Sequence, residues 1–488
     1  MADPWATSGR DQPAAFGADL HLDFGGPRLR AGLAEALRGA VRTGRLAPGT
    51  RLPSSRSLAA DLGIARNTVA NAYAELIAEG WLTAQQGSGT RVARRTRPRR
   101  AGPAALDKTV RRRRPTYSLL TGSPNLAQFP RRQWLAAARR ALTDAPHEAF
   151  ALGDAHGRVE LRIALADYLA RARGVYTDPG RIVICAGFHY ALGLIAQVLK
   201  ERRVRGVAVE SYGLDIYREQ LSNAGLRTPP LYVDEHGAQV DDLSRLGVGA
   251  VLLTPAHQFP TGVALPPDRR AAVLDWARAS GGLVLEDDYD GEFRYDRQPV
   301  GALQSLDPER IVYFGTVSKS LAPGLRLAWM VLPEHLVPDV VAAKGYLEWL
   351  SSGLEQLTLA EFISSGAYDR HVRAMRIRYR RRRDQLAAAL AQHGPGIRVT
   401  GLSAGLQAVV DLPPGTERSV VEAAAARGLE ISGIAEFRFE GAEPGVQLPR
   451  KDALVINYSA PLDTEWAGAL DILCQVISHT AGSSPGSR

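Results

Sequence analysis

Between residues 182 and 313 five short apolar runs alternate with longer amphipathic stretches, and that alternation leaves few folds open to the chain. The runs are Ile182-Val183-Ile184, Val207-Ala208-Val209, Val251-Leu252-Leu253, Leu283-Val284-Leu285 and Ile311-Val312-Tyr313. The stretches 161 to 173, 190 to 200 and 268 to 279 carry helical periodicity between and before them. Strands that are apolar without interruption are buried on both faces, so the pattern predicts an α/β domain with a mainly parallel sheet covered by helices. Ligands of such sheets bind beyond the carboxyl ends of the strands. The residues placed there are therefore the candidates for chemistry.

Two of those strand ends carry unusual residues. The run LVLEDDYD sets Glu286, Asp287, Asp288, Tyr289 and Asp290 at one end, and GTVSKSLAPGLR sets Lys319 just beyond the next strand. The chain contains 60 basic residues but only five lysines, at 108, 200, 319, 344 and 451. Where charge alone is wanted it uses arginine. A lysine beside acids at a strand end thus points to amine chemistry, since an amine condenses with an aldehyde and a guanidinium does not. A solvated lysine following a strand is the alternative that spacing leaves open.

The other informative feature is where the charge sits. Of the formal +9, residues 1 to 115 hold 20 Lys+Arg against 9 Asp+Glu, a net of +11, which leaves −2 for residues 116 to 488. A basic end of this kind suits a polyanionic partner, because phosphate neutralisation supplies most non-specific nucleic-acid affinity. Leu29, Leu33, Leu37 and Val41 recur every four positions as one face of a helix ending at Thr43-Gly44. Ser54 and Ser55 are placed to cap a second helix carrying Leu58 and Leu62, and Gly63 breaks it. A third helix, from near Arg66 to Glu79, has Val69, Tyr73, Leu76 and Ile77 on one side, and GWLTAQQGSGTRV comes next as a hairpin. This is a helix-turn-helix with a wing. Arg66, Asn67 and Thr68 occupy the first turn of the third helix, where side chains of an inserted helix meet base edges, while Arg56 is placed for the backbone.

The expected organisation is a tail at 1–20, a winged-helix domain at 21–93, an Arg/Pro-rich linker at 94–115, an α/β domain at 116–479 and a tail at 480–488. The linker holds ten basic residues against Asp107 alone. The chain has no apolar run of membrane-spanning length, and its N-terminus lacks a basic start leading into an apolar run, so a cytoplasmic protein is expected. Cys185 and Cys474 are read as small buried apolar residues, with no metal-ligand spacing around either.

Beyond these patterns, LAPGTRLPSSRSLAADLGIARNTVANAYAELIAEGWLTAQQGSGTRV closely resembles the winged-helix domain of the GntR family of transcription regulators. The resemblance puts Arg56, Ala65, Arg66, Asn67 and Thr68 on DNA-contact positions, and Gln86 with Gly87 on the wing tip. GTVSKSLAPGLR resembles the pyridoxal-phosphate lysine segment of fold-type I aminotransferases. With LEDDYDGEFRY, TPAHQFPTG and DAHGRVELRIALADYL it makes the chain similar to the MocR subfamily over about residues 28 to 475.

This resemblance implies a site for pyridoxal 5'-phosphate. Lys319 would form the internal aldimine, Asp287 would pair with the pyridine nitrogen and Tyr289 with the ring hydroxyl. Arg326 and Thr316 would hold the phosphate together with the amides after Gly187, at Phe188 and His189. The segment also departs from the family. Leu214 stands where an aromatic residue usually stacks on the ring, with Tyr212 as a neighbouring substitute. Phe188-His189 replaces a small residue and a glutamine, and Leu152 replaces a tyrosine that reaches the partner subunit's phosphate. The last strand, Ala453-Leu454-Val455-Ile456-Asn457-Tyr458, lacks the arginine that usually holds a substrate carboxylate, leaving Arg438, Arg450 or the arginines of 373 to 383 as other sources. The expectation is a homodimeric regulator that binds operator DNA and senses pyridoxal phosphate or a small amino compound. A working aminotransferase with an accessory DNA-binding domain is the competing reading.

Overall fold

A computed structural model of the chain describes residues 29–85, 89–94, 115–151, 153–295, 300–345, 351–393, 397–401, 404–439 and 451–481. It divides into two compact units, Met1–Arg112 and Arg113–Arg488.

In the first unit the helices are Leu29–Arg42, Ser55–Leu62 and Arg66–Ala78, and the hairpin strands Leu82–Gln85 and Gly89–Val92 pair antiparallel. Ser54 caps the second helix by accepting from the Ser57 amide at 3.1 Å, while Gly63 ends it with a φ of 65°. Leu33, Leu37, Leu58, Val69, Tyr73 and Leu76 close a common core. Arg38 ties the first helix to the third, donating to Glu75 at 2.8 Å and to Glu79 at 2.6 Å. Glu75 lies nine residues from Arg66, about 180° around the helix. The acids therefore lie on the side of the third helix that meets Arg38, away from Arg66.

The second unit is built on a seven-stranded sheet. Its spatial order is Ile182–Cys185, Ala328–Val331, Ile311–Thr316, Leu283–Asp287, Ala250–Leu253, Val207–Glu210, Pro230–Leu231. Neighbours from Ile311–Thr316 to Pro230–Leu231 pair in parallel, as the apolar runs predict. Ala328–Val331 runs antiparallel to both of its neighbours, because the chain turns straight back after the Lys319 segment without a helical crossover. The helices Val159–Arg173, Phe188–Glu201 and Pro267–Ser280 pack on the sheet, and Cys185 is fully buried within it. Toward the C-terminus a four-stranded antiparallel sheet holds Gln407–Asp411 against Ala453–Asn457, with the 19-residue helix Asp463–Ala481 behind it. Cys474, on that helix, is buried.

Candidate functional site

The strand ends converge on a cavity of about 190 Å³ in the second unit. Lys319, Asp287 and Tyr289 line it together, so the structure brings three of the sequence-derived candidates to one place. Lys319 lies three residues past the strand Ile311–Thr316, and its Nζ donates to the Gly122 carbonyl oxygen at 2.7 Å. Burial pulls its ammonium below the ordinary lysine value, with Asp290 and Asp287 opposing that shift. A lowered ammonium holds more of the free amine that a carbonyl requires.

The acids at the neighbouring strand end divide sharply by partner. Glu286 is buried and accepts from the Leu303 and Gln304 amides at 2.7 and 2.9 Å. Asp288 accepts from Arg173 Nε at 2.6 Å and from Tyr313 Oη at 2.8 Å, all three being buried. Asp287 differs from both: it faces the cavity, and its Oδ1 is buried with no hydrogen-bond partner. Burial raises its pKa well above the ordinary aspartate value, Asp288 adds to the rise, and Lys319 opposes it. A buried carboxylate oxygen without a donor is costly.

Tyr289 is held from behind. Gln407 Nε2 donates to its hydroxyl oxygen at 2.8 Å, and His257 Nδ1 lies 2.9 Å from that oxygen and 2.9 Å from Asp290 Oδ2. Asp290 is also a hydrogen-bond partner of the Tyr289 hydroxyl, so Gln407, His257 and Asp290 together fix the position of that oxygen at the cavity.

Gly187 precedes the helix Phe188–Glu201 with a φ of 103°, which a side chain would resist. A Cβ at Gly187 would meet the Arg326 guanidinium at 2.8 to 2.9 Å, so the glycine lets that side chain lie over the helix start. Arg326 itself has a φ of 53°. The exposed amides of a helix N-terminus beside a guanidinium form an anion-binding arrangement. Thr316 Oγ1 donates to the Leu327 carbonyl at 3.1 Å and shares a 2.8 Å hydrogen bond with Ser318 Oγ. Phe188 turns its ring into the core, 4.7 Å from Tyr217 and 5.1 Å from Phe314, so only its backbone is available at the helix start. His189 Nδ1 is buried without a partner. Leu152 lies outside the described residues.

Several lining residues escape sequence reasoning. Tyr217 and Arg218 come one helical turn after Leu214 on Asp215–Asn223, a spacing that would have marked them. Tyr212 also lines the cavity, as does Leu214, and a bridge between Tyr212 and Arg438 brings Phe437 and Phe439 over it. Gln407 is supplied by the antiparallel sheet, 88 residues after Lys319, and no local signal announces it.

In the first unit Arg56, Arg66 and Asn67 are exposed, Ala65 is the exposed N-cap of the third helix, and Thr68 is half-buried. Gln86 and Gly87 lie outside the described residues. No helix among the described residues is long and apolar enough to cross a membrane.

Comparison with known proteins agrees with both halves. Residues 29–92 match the gntR family of bacterial regulatory proteins, and residues 119–446 match aminotransferase class I and II. The pyridoxine biosynthesis transcriptional regulator PdxR of Corynebacterium glutamicum is 32% identical, covering 83% of this chain and 88% of its own. The probable rhizopine catabolism regulatory protein MocR of Rhizobium meliloti is 31% identical over 88% of this chain and 89% of its own. Among solved structures, the multiple substrate aminotransferase of Thermococcus profundus superposes with a TM-score of 0.67 at 24% identity, covering 78% of this chain and 96% of that one. Kynurenine aminotransferase of Pyrococcus horikoshii, in complex with PMP, gives 0.65 at 25% identity, covering 77% and 93%. The chain belongs to the MocR type of GntR regulators, in which a winged helix-turn-helix head is joined to a body of the aminotransferase class I and II fold.

Proposed function

We propose that this regulator binds pyridoxal 5'-phosphate at Lys319, and that occupancy of the site by the cofactor, or by an amino compound that meets it there, sets the affinity of the head for operator DNA. The observation that carries the reading is the pairing of an amine of lowered pKa with an unpartnered buried carboxylate on one cavity wall. Asp287 Oδ1 suits a protonated ring nitrogen, which would give that oxygen the donor it lacks. The Tyr289 hydroxyl suits a ring oxygen, and the Gly187 helix start with Arg326 suits a phosphate, with the Ser318 hydroxyl, bonded to Thr316, beside it. Bound there, the cofactor supplies an electrophilic aldehyde carbon conjugated to an electron-withdrawing ring. Lys319 provides the amine, Asp287 keeps the ring nitrogen protonated, and the apolar walls formed by Leu252, Phe259 and Leu406 exclude water.

The head would enter the major groove with Arg66, Asn67 and Thr68, while Arg56 reaches the backbone, with Gln86 and Gly87 at the wing tip that the family resemblance implies. The working form would be a homodimer in the cytoplasm, because paired half-sites are read by a two-fold protein. Borohydride treatment of protein given pyridoxal phosphate, with peptide mass analysis afterwards, tests the assignment. The cofactor is expected on the peptide containing Lys319. An adduct found only on Lys200 or Lys344 would overturn it.

A further inference from the structure

The residues of the last strand that would ordinarily present a guanidinium, Val455 and Ile456, are buried and apolar. Of the alternatives named from sequence, none of the described ones lines the cavity. In the helix Ala367–His393, Arg376 donates to the Glu292 carbonyl, while Arg382 donates to the Tyr458 carbonyl and to Asp463. Arg438 is absent from the cavity wall although Phe437 and Phe439 on either side line it, as alternation along an extended segment requires. Arg450 lies outside the described residues.

Among the described residues one arginine does line the cavity, Arg218, on the first turn of Asp215–Asn223. Its side chain is 21% exposed, and its Nη2 donates to Asp215 Oδ1 at 2.7 Å. The guanidinium carbon sits 4.1 Å from the centroid of the Phe439 ring, which fixes the plane of the fork. Asp215 engages only one edge of that fork and is itself 54% exposed. An ion pair with an exposed acid is weak and exchangeable, whereas a bidentate carboxylate on a stacked guanidinium is strong. Most of the remaining wall is apolar or aromatic, as at Leu214, Phe259 and Phe437.

We propose that Arg218 is the carboxylate receptor of this cavity, so that the compound it admits is an amine bearing a carboxylate, its amine toward Lys319 and its carboxylate replacing Asp215 on the guanidinium. The recognition is ionic and makes or breaks no covalent bond. Released from the pair, Asp215 remains in water at little cost. The proposal rests on Lys319 being the cofactor lysine.

The test loads wild type, Arg218→Met and Asp215→Asn with pyridoxal phosphate and titrates each with L-alanine, β-alanine and L-phenylalanine, and with ethylamine and phenethylamine as the amines lacking the carboxylate. The visible absorption band is monitored, with thermal stabilisation by each compound as a second readout. Wild type should respond to at least one acid at lower concentration than to its matched amine. Arg218→Met should reduce that preference roughly ten-fold or more, the loss expected for a charged hydrogen-bonding partner. Asp215→Asn should increase it, and this opposite sign keeps the test decisive if the arginine variant does not fold. An unchanged preference in both variants, or no preference for any acid in wild type, overturns the proposal. A missing visible band before any amine is added overturns the reading of Lys319 instead, and the proposal with it.

Discussion

Lys319 Nζ donates to the carbonyl oxygen of Gly122 at 2.7 Å, joining two residues that line the cavity and lie 197 apart in sequence. The bond parks the amine beside the position it serves without spending it on an acid. Asp287, on the same wall, keeps an unpartnered oxygen. Exchange of the Gly122 bond for a covalent link to the cofactor therefore breaks no ion pair.

Lys319→Ala should accordingly lose the visible band formed with pyridoxal phosphate while changing the urea midpoint by only about 1 kcal/mol equivalent, the net worth of a typical hydrogen bond. Absorption spectra and urea unfolding check both halves. A band of undiminished intensity that borohydride fixes on another lysine would contradict the role given to Lys319.

The support behind Tyr289 should show in cofactor affinity. Gln407→Leu removes the donor at 2.8 Å and leaves the buried hydroxyl to His257 and Asp290. Pyridoxal phosphate should then bind roughly ten-fold more weakly, as expected for loss of one buried hydrogen-bond partner. Equal dissociation constants by fluorescence titration would remove Gln407 from the site.

A pH effect arises from Glu292, buried between Tyr168 and Tyr368, which donate to it at 3.3 and 3.1 Å. Burial, with Asp288 adding to it, pushes its carboxyl up to about 7 from 4.5. Because the folded-state value is raised, the unfolded chain gives up this proton first. The contribution to stability is then full below about 4.5 and is lost as pH rises through about 7. Glu286, also buried, is pushed up to about 7 and acts in the same direction. Glu292→Gln should flatten the profile and stabilise the protein at alkaline pH by on the order of 1 to 3 kcal/mol. Urea unfolding of both proteins across the neutral range measures this, and parallel profiles would count against it.

For the head, Arg66→Ala should weaken specific DNA binding by on the order of 1 to 3 kcal/mol, and added salt should weaken the wild type steeply. Fluorescence anisotropy on the upstream region of the protein's own gene gives both quantities. An affinity unchanged by the substitution would take Arg66 out of the interface.

Much of this arrangement is legible in the sequence because the signals are local. A strand buried on both faces is a continuous apolar run, and the residues just after it stand at the carboxyl end, which is how Asp287 and Lys319 come forward. Ala328–Val331 is equally buried, but the direction in which a strand pairs is set by its connection and not by its composition, so its antiparallel course stays hidden. Gln407 reaches the cavity from a sheet that forms only when distant parts of the chain meet, and Phe437 and Phe439 reach it beside the isolated bridge between Arg438 and Tyr212. His257 lies within a segment that draws notice, yet its link to Tyr289 and Asp290 depends on how the loops after two strands fold together. Arg218 is concealed by abundance, since in a chain of 55 arginines only its spacing of four from Leu214 sets it apart.

The central claim is that the cavity of the body governs the affinity of the head, and DNA titration with and without pyridoxal phosphate tests it most directly. Wild type should show dissociation constants differing by roughly 5- to 150-fold between the two conditions, the range of a coupling of about 1 to 3 kcal/mol, while Lys319→Ala should show none. Superimposable wild-type curves, with the visible band confirming that the cofactor is bound, would contradict the account.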